Sequence, residues 1–283
     1  MKLVRYGRLG REKPGLVDED GKLRDLSGRI SDITADQLSP KALSKLARIN
    51  AKRLPLVKGR PRYGVPWDGP GKIVCIGLNY VDHAKETNSP IPDQPIIFLK
   101  ANSALNGPND NVAVPRGSKQ TDYEVELGVV IGTRAQHVSK KDALNYVAGY
   151  TICNDVSERF FQMKMGLTWT KGKSCDTFGP MGPWLVTTDE MPKPQRCRLW
   201  CDVNGERRQD GNTKTMIFDV ATLISYTSKL MSLNPGDVIS TGTPPGVGAG
   251  MKPPCFLKAG DVVTLGVDGL GQQTQKMVAW NKV

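Results

Sequence analysis

Two glutamates stand inside an apolar run of the sequence, T121-D-Y-E-V-E-L-G-V-V-I-G132. On a strand, residues two apart point to the same face, so Glu124 and Glu126 would lie side by side. Like charges that close repel each other, and a divalent cation makes such a pair favourable. Carboxylate oxygens suit magnesium, manganese or calcium rather than zinc. The alternative is an exposed pair matched by Lys or Arg, but the apolar neighbours favour the metal.

A third ligand is expected at the end of a neighbouring strand, because two carboxylates do not complete a coordination sphere. Asp155 is the best candidate, since it follows the strand-like segment Y150-T-I-C-N-D-V-S157 where that segment turns polar. An aspartate in this place can equally be a helix N-cap or a turn residue. The residues alone leave both interpretations open.

The segment G77-L-N-Y-V-D-H-A-K-E-T-N88 holds one of the two histidines of the chain. Glu86 follows His83 by three residues, so one helical turn would bring the carboxylate to the imidazole. Such a pair can act as a general base on water. The alternative is a loop histidine beside a surface acid. Lys173, in W169-T-K-G-K-S174, is a candidate cation aimed at substrate.

Composition and charge exclude several classes of protein. With 283 residues, 39% of them hydrophobic, the chain is long enough for a substantial core. No apolar run approaches the roughly 18 residues of a membrane helix, and the N-terminus lacks a signal segment. Six scattered cysteines without a C-x-x-C pair indicate a reducing compartment. We therefore expect a cytoplasmic protein that does not insert into membranes.

The net charge of +11 raises the question of nucleic-acid binding. Most of that charge lies in residues 1–62, which hold 16 Lys or Arg against 7 Asp or Glu. The only aromatic residue there is Tyr6, so no platform for stacking bases is visible. A solvated basic module that binds no nucleic acid is the favoured interpretation.

The patterning predicts two domains joined by a linker. Residues 1–62 form a small α+β domain, with a turn at 18–21 and one or two short helices within 34–50. The Gly- and Pro-rich residues 63–71 are the linker, and residues 72–283 form the main domain. That domain is mostly β, with helices expected over 140–146 and 220–231. Its strand candidates are 73–76, 95–100, 125–131, 146–153, 184–187, 198–203, 238–240 and 262–267.

Taken together, these segments resemble the fumarylacetoacetate hydrolase family across about residues 70–270. The matching stretches are GLNYVDHAKE (77–86), PIIFLK (95–100), DYEVELGVVIG (122–132), CNDVSERFFQ (153–162), KGKSCDTFGPMGPW (171–184), VNGERRQDGNT (203–213) and PGDVISTGTPPGVG (235–248). The resemblance implies an α+β, predominantly β fold: mixed strands rolled into a barrel-like sandwich, usually a homodimer, with a divalent metal such as Mg²⁺ or Mn²⁺.

The resemblance also assigns roles to individual residues. The metal ligands it implies are Glu124, Glu126 and Asp155. The catalytic residues it implies are His83, Glu86 and Lys173. With less specific motifs it places Lys100, Gln162 and Thr243 at the substrate pocket, and Asp122 behind the metal ligands.

The chemistry that follows is metal-dependent hydrolysis of a C–C bond in a 2,4-dioxo acid. The metal would bind the carboxylate and keto oxygens of a 2-oxo acid and stabilise an enolate while the bond breaks. Leu78 stands where many relatives that cleave acylpyruvates have Arg. This form resembles members that act on 2,4-didehydro-3-deoxy sugar acids. Ureidoglycolate lyase, isomerase and decarboxylase activities on the same metal site are the alternatives.

Overall fold

Strands make up most of the regular structure. The computed structural model describes residues 1–166 and 168–283. The strands are β1 (Lys2–Tyr6), β2 (Lys13–Val17), β3 (Leu23–Asp25), β4 (Ile73–Gly77), β5 (Ile96–Lys100), β6 (Leu105–Asn106), β7 (Val112–Val114), β8 (Thr121–Asp122), β9 (Val125–Ile131), β10 (Val147–Asn154), β11 (Ser157–Glu158), β12 (Gly179–Thr187), β13 (Arg198–Val203), β14 (Glu206–Asn212), β15 (Val238–Ser240), β16 (Val262–Val267) and β17 (Gly271–Ala279).

Helices are few and short. The α-helices are α1 (Pro40–Ala47), α2 (Val81–Glu86), α3 (Arg159–Lys164), α4 (Thr170–Lys173) and α5 (Val220–Leu230). Short 3₁₀ turns cover Ala35–Leu38, Ala51–Arg53, Asn102–Ala104, Ala143–Tyr146, Thr188–Glu190, Pro194–Arg196, Thr213–Thr215, Gly248–Gly250 and Trp280–Lys282. Among the described helices, none has both the length and the apolar character needed to cross a bilayer.

The strands are arranged in mixed sheets. The large sheet has the order β3-β2-β1-β12-β10-β9-β15-β4-β5, and β6 also pairs with β12. A second sheet has the order β14-β13-β16-β17-β7, and β8 pairs with β11. Most pairs are antiparallel, but β15 with β4, β12 with β6 and β17 with β7 are parallel. The predicted class, α+β and predominantly β, is confirmed.

Strand β9 is buried along its whole length. Leu127 and Val129 pack in a core that also holds Leu199 of β13 and Leu265 of β16, so this core lies between the two larger sheets. Val130 points the other way, into a second cluster with Ile73 of β4. Because both faces are covered, apolar residues occupy consecutive positions, which is the apolar run seen in the sequence.

The N-terminal strands continue the large sheet. Strand β1 pairs with β12, with Lys2 opposite Val186 and Leu3 opposite Leu185. In the predicted linker, Trp67 is fully buried, and its indole N–H donates to the carbonyl of Gly236 at 3.0 Å. The division into 1–62, 63–71 and 72–283 stays a prediction.

The two helices predicted for the main domain had different outcomes. Helix α5 matches the prediction to within one residue, and Asp219 caps it by accepting from the amide of Thr222 at 2.7 Å. The helix predicted over 140–146 was wrong, since only a 3₁₀ turn, Ala143–Tyr146, forms there. The backbone amides of Asp142, Asn145 and Val147 each donate to the carbonyl three residues earlier, which is the 3₁₀ pattern, and β10 begins at Val147.

Replacing Gly149 by Ala tests how closely β10 and β12 approach. A Cβ at Gly149 would lie 2.3 Å from the carbonyl oxygen of Val186, so the backbone would have to shift. Forcing atoms into a packed interior typically costs about 1–3 kcal/mol, and we expect that loss in urea unfolding. At Gly28, where nothing lies within 4 Å, the same change should leave the stability almost unchanged. Equal stability of the two variants would contradict this packing.

Candidate functional site

Three predicted metal ligands converge at one end of the β9–β10 pair. Glu124 directly precedes β9, and Glu126 lies on it, opposite Cys153. Asp155 directly follows β10, and its amide donates to the carbonyl of Glu124 at 2.9 Å. Antiparallel pairing therefore brings the third carboxylate to the first two. One oxygen from each lies within 4.8 Å of the others, and all three side chains are buried.

Buried cations compensate this concentration of negative charge. The ammonium group of Lys173 lies 2.7 Å from both Glu124 Oε2 and Asp155 Oδ2. Lys100 contacts the other oxygen of Asp155 and donates to the carbonyl of Val156 at 2.9 Å. Two lysines on separate elements, β5 and α4, therefore hold one aspartate between them.

The sequence interpretation missed Arg159, the first residue of α3. Its guanidinium group lies 2.7 Å from Glu124 Oε1, and its Nε donates to Asp122 Oδ2 at 2.8 Å. Asp122 also accepts from the amides of Gly248 and Ala249, so it fixes the arginine against a loop. The sequence feature that could have indicated it is a positively charged residue four positions after Asp155, within CNDVSERFFQ.

These side chains form a charged cluster of four carboxylates and three cations: Asp122, Glu124, Glu126, Asp155, Lys100, Arg159 and Lys173. Its members differ in their protonation equilibria. Burial raises the pKa of Glu124, but the charges of Lys173 and Arg159 outweigh burial and lower it overall. Burial and the charges of Asp155 and Glu124 raise the pKa of Glu126 well above its usual range.

Glu126 differs from the other carboxylates of the charged cluster because its hydrogen-bond partners are neutral. Its Oε2 accepts from the hydroxyl of Ser240 at 2.6 Å and from the amide of Gly242 at 2.9 Å. These hydrogen bonds favour the ionised form less than an adjacent cation would. Glu126 is therefore the carboxylate whose ionised form would be stabilised most by a further positive charge nearby.

The predicted histidine–glutamate pair is present on α2. His83 Nδ1 lies 2.9 Å from Glu86 Oε2, across one helical turn. The other oxygen of Glu86 accepts from the amide of Gly246 at 2.8 Å, which fixes the carboxylate. Because a carboxylate accepts, the proton is assigned to Nδ1, and Nε2 is the nitrogen able to take another.

The predicted site residues meet at a cavity of about 270 Å³. Six of them line it: His83, Glu124, Glu126, Gln162, Lys173 and Thr243. The other three stand behind these residues: Glu86 against His83, and Asp155 and Lys100 beyond Lys173. The structure thus brings all nine together in one place, and the role of each stays a prediction.

The three residues predicted to contact substrate differ in their surroundings. Gln162 lines the cavity, and its side-chain oxygen accepts from Arg159 at 3.0 Å. The hydroxyl of Thr243 also lines it but already donates to the carbonyl of Val125 at 2.9 Å. Lys100 is buried against Asp155, so its observed contact is with a predicted metal ligand.

A buried side-chain amide from the second sheet fixes the backbone between the two glutamates. Gln209 of β14 accepts from the amide of Val125, between Glu124 and Glu126, at 3.0 Å. Its side-chain nitrogen donates to Thr243 Oγ1 and to the carbonyl of Pro244, both at 2.8 Å. Nothing in the sequence near position 209 indicates this role, which depends on how the sheets pack.

The donor set fits a divalent ion. Three carboxylates supply the hard oxygen ligands that Mg²⁺ and Mn²⁺ prefer. The raised pKa of Glu126 favours its protonated form, and a bound divalent ion would stabilise the ionised carboxylate in its place. The acidic triad could therefore hold a divalent metal.

Comparison with protein families gives one match to the chain. Residues 72–278 match the model described as fumarylacetoacetate (FAA) hydrolase C-terminal. A relative from Burkholderia ambifaria (strain MC40-6), whose name goes no further than hydrolase, is 56% identical over 276 residues, covering 97% of this chain and 98% of the relative.

Solved structures similar to this chain include both hydrolases and isomerases. A probable 2-hydroxyhepta-2,4-diene-1,7-dioate isomerase from Mycobacterium abscessus has a TM-score of 0.83 at 31% identity, covering 99% of both chains. A maleylpyruvate hydrolase from Sphingobium sp. SYK-6, solved with manganese(II) and pyruvate, has a TM-score of 0.82 at 27% identity, also covering 99% of both.

Replacing Glu126 by Gln tests the acidic triad as a metal site. The amide keeps the shape of the side chain but removes the charge, so affinity for Mn²⁺ should fall by at least about tenfold; changing residues behind metal ligands alone costs about 10–100-fold. Calorimetric titration with Mn²⁺ measures this loss. Glu206→Gln, at an exposed position on β14, is the control and should bind Mn²⁺ normally. Unchanged affinity in the Glu126 variant would rule the site out.

Proposed function

Since this chain belongs to the fumarylacetoacetate hydrolase family, we propose that it is a divalent-metal-dependent hydrolase that cleaves a C–C bond in a 2,4-dioxo acid. One observation carries the proposal: Glu124, Glu126 and His83 line the same cavity, and Asp155 and Glu86 lie directly behind them. The 2,4-didehydro-3-deoxy sugar acids are one group of such substrates. They differ from simple acylpyruvates in the group beyond C4.

Glu124, Glu126 and Asp155 would hold the metal, with Mg²⁺ and Mn²⁺ the favoured ions. When bound, the ion supplies Lewis-acid stabilisation of the negative charge that develops on the 2-oxo acid part of the substrate. The manganese and pyruvate in the maleylpyruvate hydrolase complex support this choice of ion and of substrate head.

His83 is the group that would take a proton from water. Its Nε2 accepts the proton while Glu86, bound to Nδ1, stabilises the resulting imidazolium. The hydroxide attacks C4, the C3–C4 bond breaks, and C3 keeps the electron pair. C3 then takes a proton from the imidazolium, so the products are a carboxylic acid and a 2-oxo acid.

Three polar groups in the cavity would stabilise the oxygen on C4 as it becomes negative. Lys173, Arg159 and Gln162 all line the cavity, and all are held by other residues of the site. Preorganised donors of this kind are worth about 2.7–4 kcal/mol each. Because their positions are fixed beforehand, little reorganisation accompanies the reaction.

An isomerase or decarboxylase using the same metal is the second candidate, supported by the isomerase among the similar structures. Ureidoglycolate lyase is a further alternative on the same site. These activities need no attacking water, so they would not require His83 as the general base that deprotonates it. Assembly as a homodimer and a cytoplasmic location stay predictions.

Replacing His83 by Ala separates the candidates. Loss of a general base should lower kcat for hydrolysis of 2,4-dioxo acids by about 10²–10⁴-fold, while decarboxylation of oxaloacetate with Mg²⁺ persists. Steady-state assays of both reactions, with Mg²⁺ and with EDTA, measure the difference. His137, the other histidine of the chain, is exposed, so His137→Ala is a matched control with wild-type rates. Equal loss of both reactions would argue against a water-activating histidine.

A further inference from the structure

Three side-chain amides are buried where the two larger sheets face each other. Asn154 is the last residue of β10, whereas Gln273 and Gln275 lie two residues apart on β17 and so point to the same face. Met277 continues that face and belongs to the apolar core. Burying an amide among such residues costs free energy unless its polar atoms are hydrogen-bonded. The partners of these three amides therefore indicate what the amides do.

The three amides bind one another in a single row, which we call the amide network. Asn154 Nδ2 donates to Gln275 Oε1 at 3.0 Å, and Gln275 Nε2 donates to Gln273 Oε1 at 2.8 Å. The network ends at the large sheet, where Gln273 Nε2 donates to the carbonyls of Ile152 and Gly182 at 3.1 and 3.3 Å. Each glutamine therefore uses both its oxygen and its nitrogen.

The other end of the network is the backbone of a predicted metal ligand. Asn154 Oδ1 accepts from the amide of Glu124 at 3.2 Å. The carbonyl of Glu124 accepts from the amide of Asp155, the residue after Asn154, at 2.9 Å. Regular pairing of β9 with β10 begins only at Val125. These two bonds, rather than the strand ladder, therefore fix where Glu124 lies relative to Asp155.

The direction of the network is fixed at both ends. The backbone N–H of Glu124 can only donate, so Asn154 must present its oxygen there and its nitrogen to Gln275. The two backbone carbonyls at the far end can only accept, so Gln273 must present its nitrogen to them. Each amide thus has one orientation that serves both of its neighbours. An apolar side chain at any of the three positions would break the network.

The amide network carries no charge. Lys173 and Arg159 compensate the carboxylate of Glu124, but as cations they would also repel a metal ion. The amides hold the backbone of Glu124 without adding to that repulsion. Hydrogen bonds behind a metal ligand orient it, and their loss typically costs about 10–100-fold in metal affinity. The position and the neutrality of the network both suit this role.

We propose that the amide network positions Glu124 against Asp155 so that both can bind one metal ion. Its three members would be positioning residues, which act through the backbone of Glu124 and contact neither the ion nor the substrate. The inference rests on the proposed function for the presence of the metal. It goes beyond it by making the second sheet, through β17, a determinant of metal affinity.

Replacing Gln275 by Met breaks the network in its middle at a similar side-chain length. Asn154, Gln273 and the carbonyl of Pro108 would each lose a partner, so the metal ligand would be held less firmly. Calorimetric titration should show an affinity for Mn²⁺ at least about tenfold below that of the wild type. Gln272→Met, at the exposed neighbouring position on β17, is the matched control and should bind Mn²⁺ normally. An unchanged affinity in folded Gln275→Met would overturn the inference.

Two further variants separate positioning from general destabilisation. Ile33→Ala removes apolar atoms from a fully buried position outside the cavity and the amide network. It should lower the midpoint of urea unfolding while the affinity for Mn²⁺ stays normal. Should circular dichroism show Gln275→Met unfolded, Asn154→Leu breaks the network at its first step with little change of shape and should give the same loss. If Ile33→Ala lowers the affinity as much, the effect is one of stability and the inference is overturned.

Hydrogen exchange at the amide of Glu124 tests the network without any metal. This N–H donates to Asn154, so in Gln275→Met it should exchange at least about tenfold faster than in the wild type. The amide of Val125, which Gln209 holds instead, is the internal control and should keep its rate. Nuclear magnetic resonance of the ¹⁵N-labelled protein resolves the two amides. Unchanged exchange at Glu124, or faster exchange without loss of Mn²⁺ affinity, would overturn the inference.

Cleavage assays distinguish failure of this inference from failure of the proposed function. If the wild type binds Mn²⁺ but cleaves no 2,4-dioxo acid, while Gln275→Met loses affinity, the proposed function fails and the inference holds. If the wild type binds Mn²⁺ and cleaves 2,4-dioxo acids, and Gln275→Met equals it in affinity and exchange, the function holds and the inference fails. Absence of Mn²⁺ binding in the wild type would overturn both.

Discussion

Repulsion among buried carboxylates is the constraint on which the rest of this structure depends. Glu124, Glu126 and Asp155 lie within one ion's reach of each other and away from solvent. An ionised carboxylate in such a place is costly unless it is paired. The three cations of the charged cluster compensate this negative charge. Two of them, Lys100 and Lys173, are themselves almost completely buried.

Meeting that constraint involves most of the architecture. The antiparallel pair β9–β10 supplies the carboxylates, whereas β5, α3 and α4 each supply one cation. The second sheet contributes Gln209, which binds the backbone between the two glutamates. A site assembled from so many separate segments needs both sheets and the short helices to be correctly positioned relative to one another. Helices α3 and α4 are therefore essential to the site although each spans only a turn or two, because each positions one of its cations.

The contacts that are local in sequence could be predicted from periodicity alone, whereas distant site residues such as Lys100 and Thr243 were predicted only from the motifs of the family resemblance. Strand alternation brings Glu124 and Glu126 together, and one helical turn joins His83 to Glu86. The fold class and eight of the 17 described strands followed from apolar patterning, whereas β14 and β17 were not predicted. Arg159 and Gln209 were missed because their partners lie 35 and 84 residues away. Pairing of β8 with β11 brings Arg159 to its partners, and packing of the second sheet brings Gln209 to Val125. Over 140–146 the chain forms a 3₁₀ turn that leads into β10 instead of the predicted helix.

The charge balance of the cluster bears on the kind of substrate that fits. With all four carboxylates ionised, the three cations of the cluster would leave one negative charge unmatched. A divalent ion would reverse this to one surplus positive charge, and the single carboxylate of a 2-oxo acid would restore neutrality. The charge balance would therefore favour a 2-oxo acid that brings one negative charge to the ion.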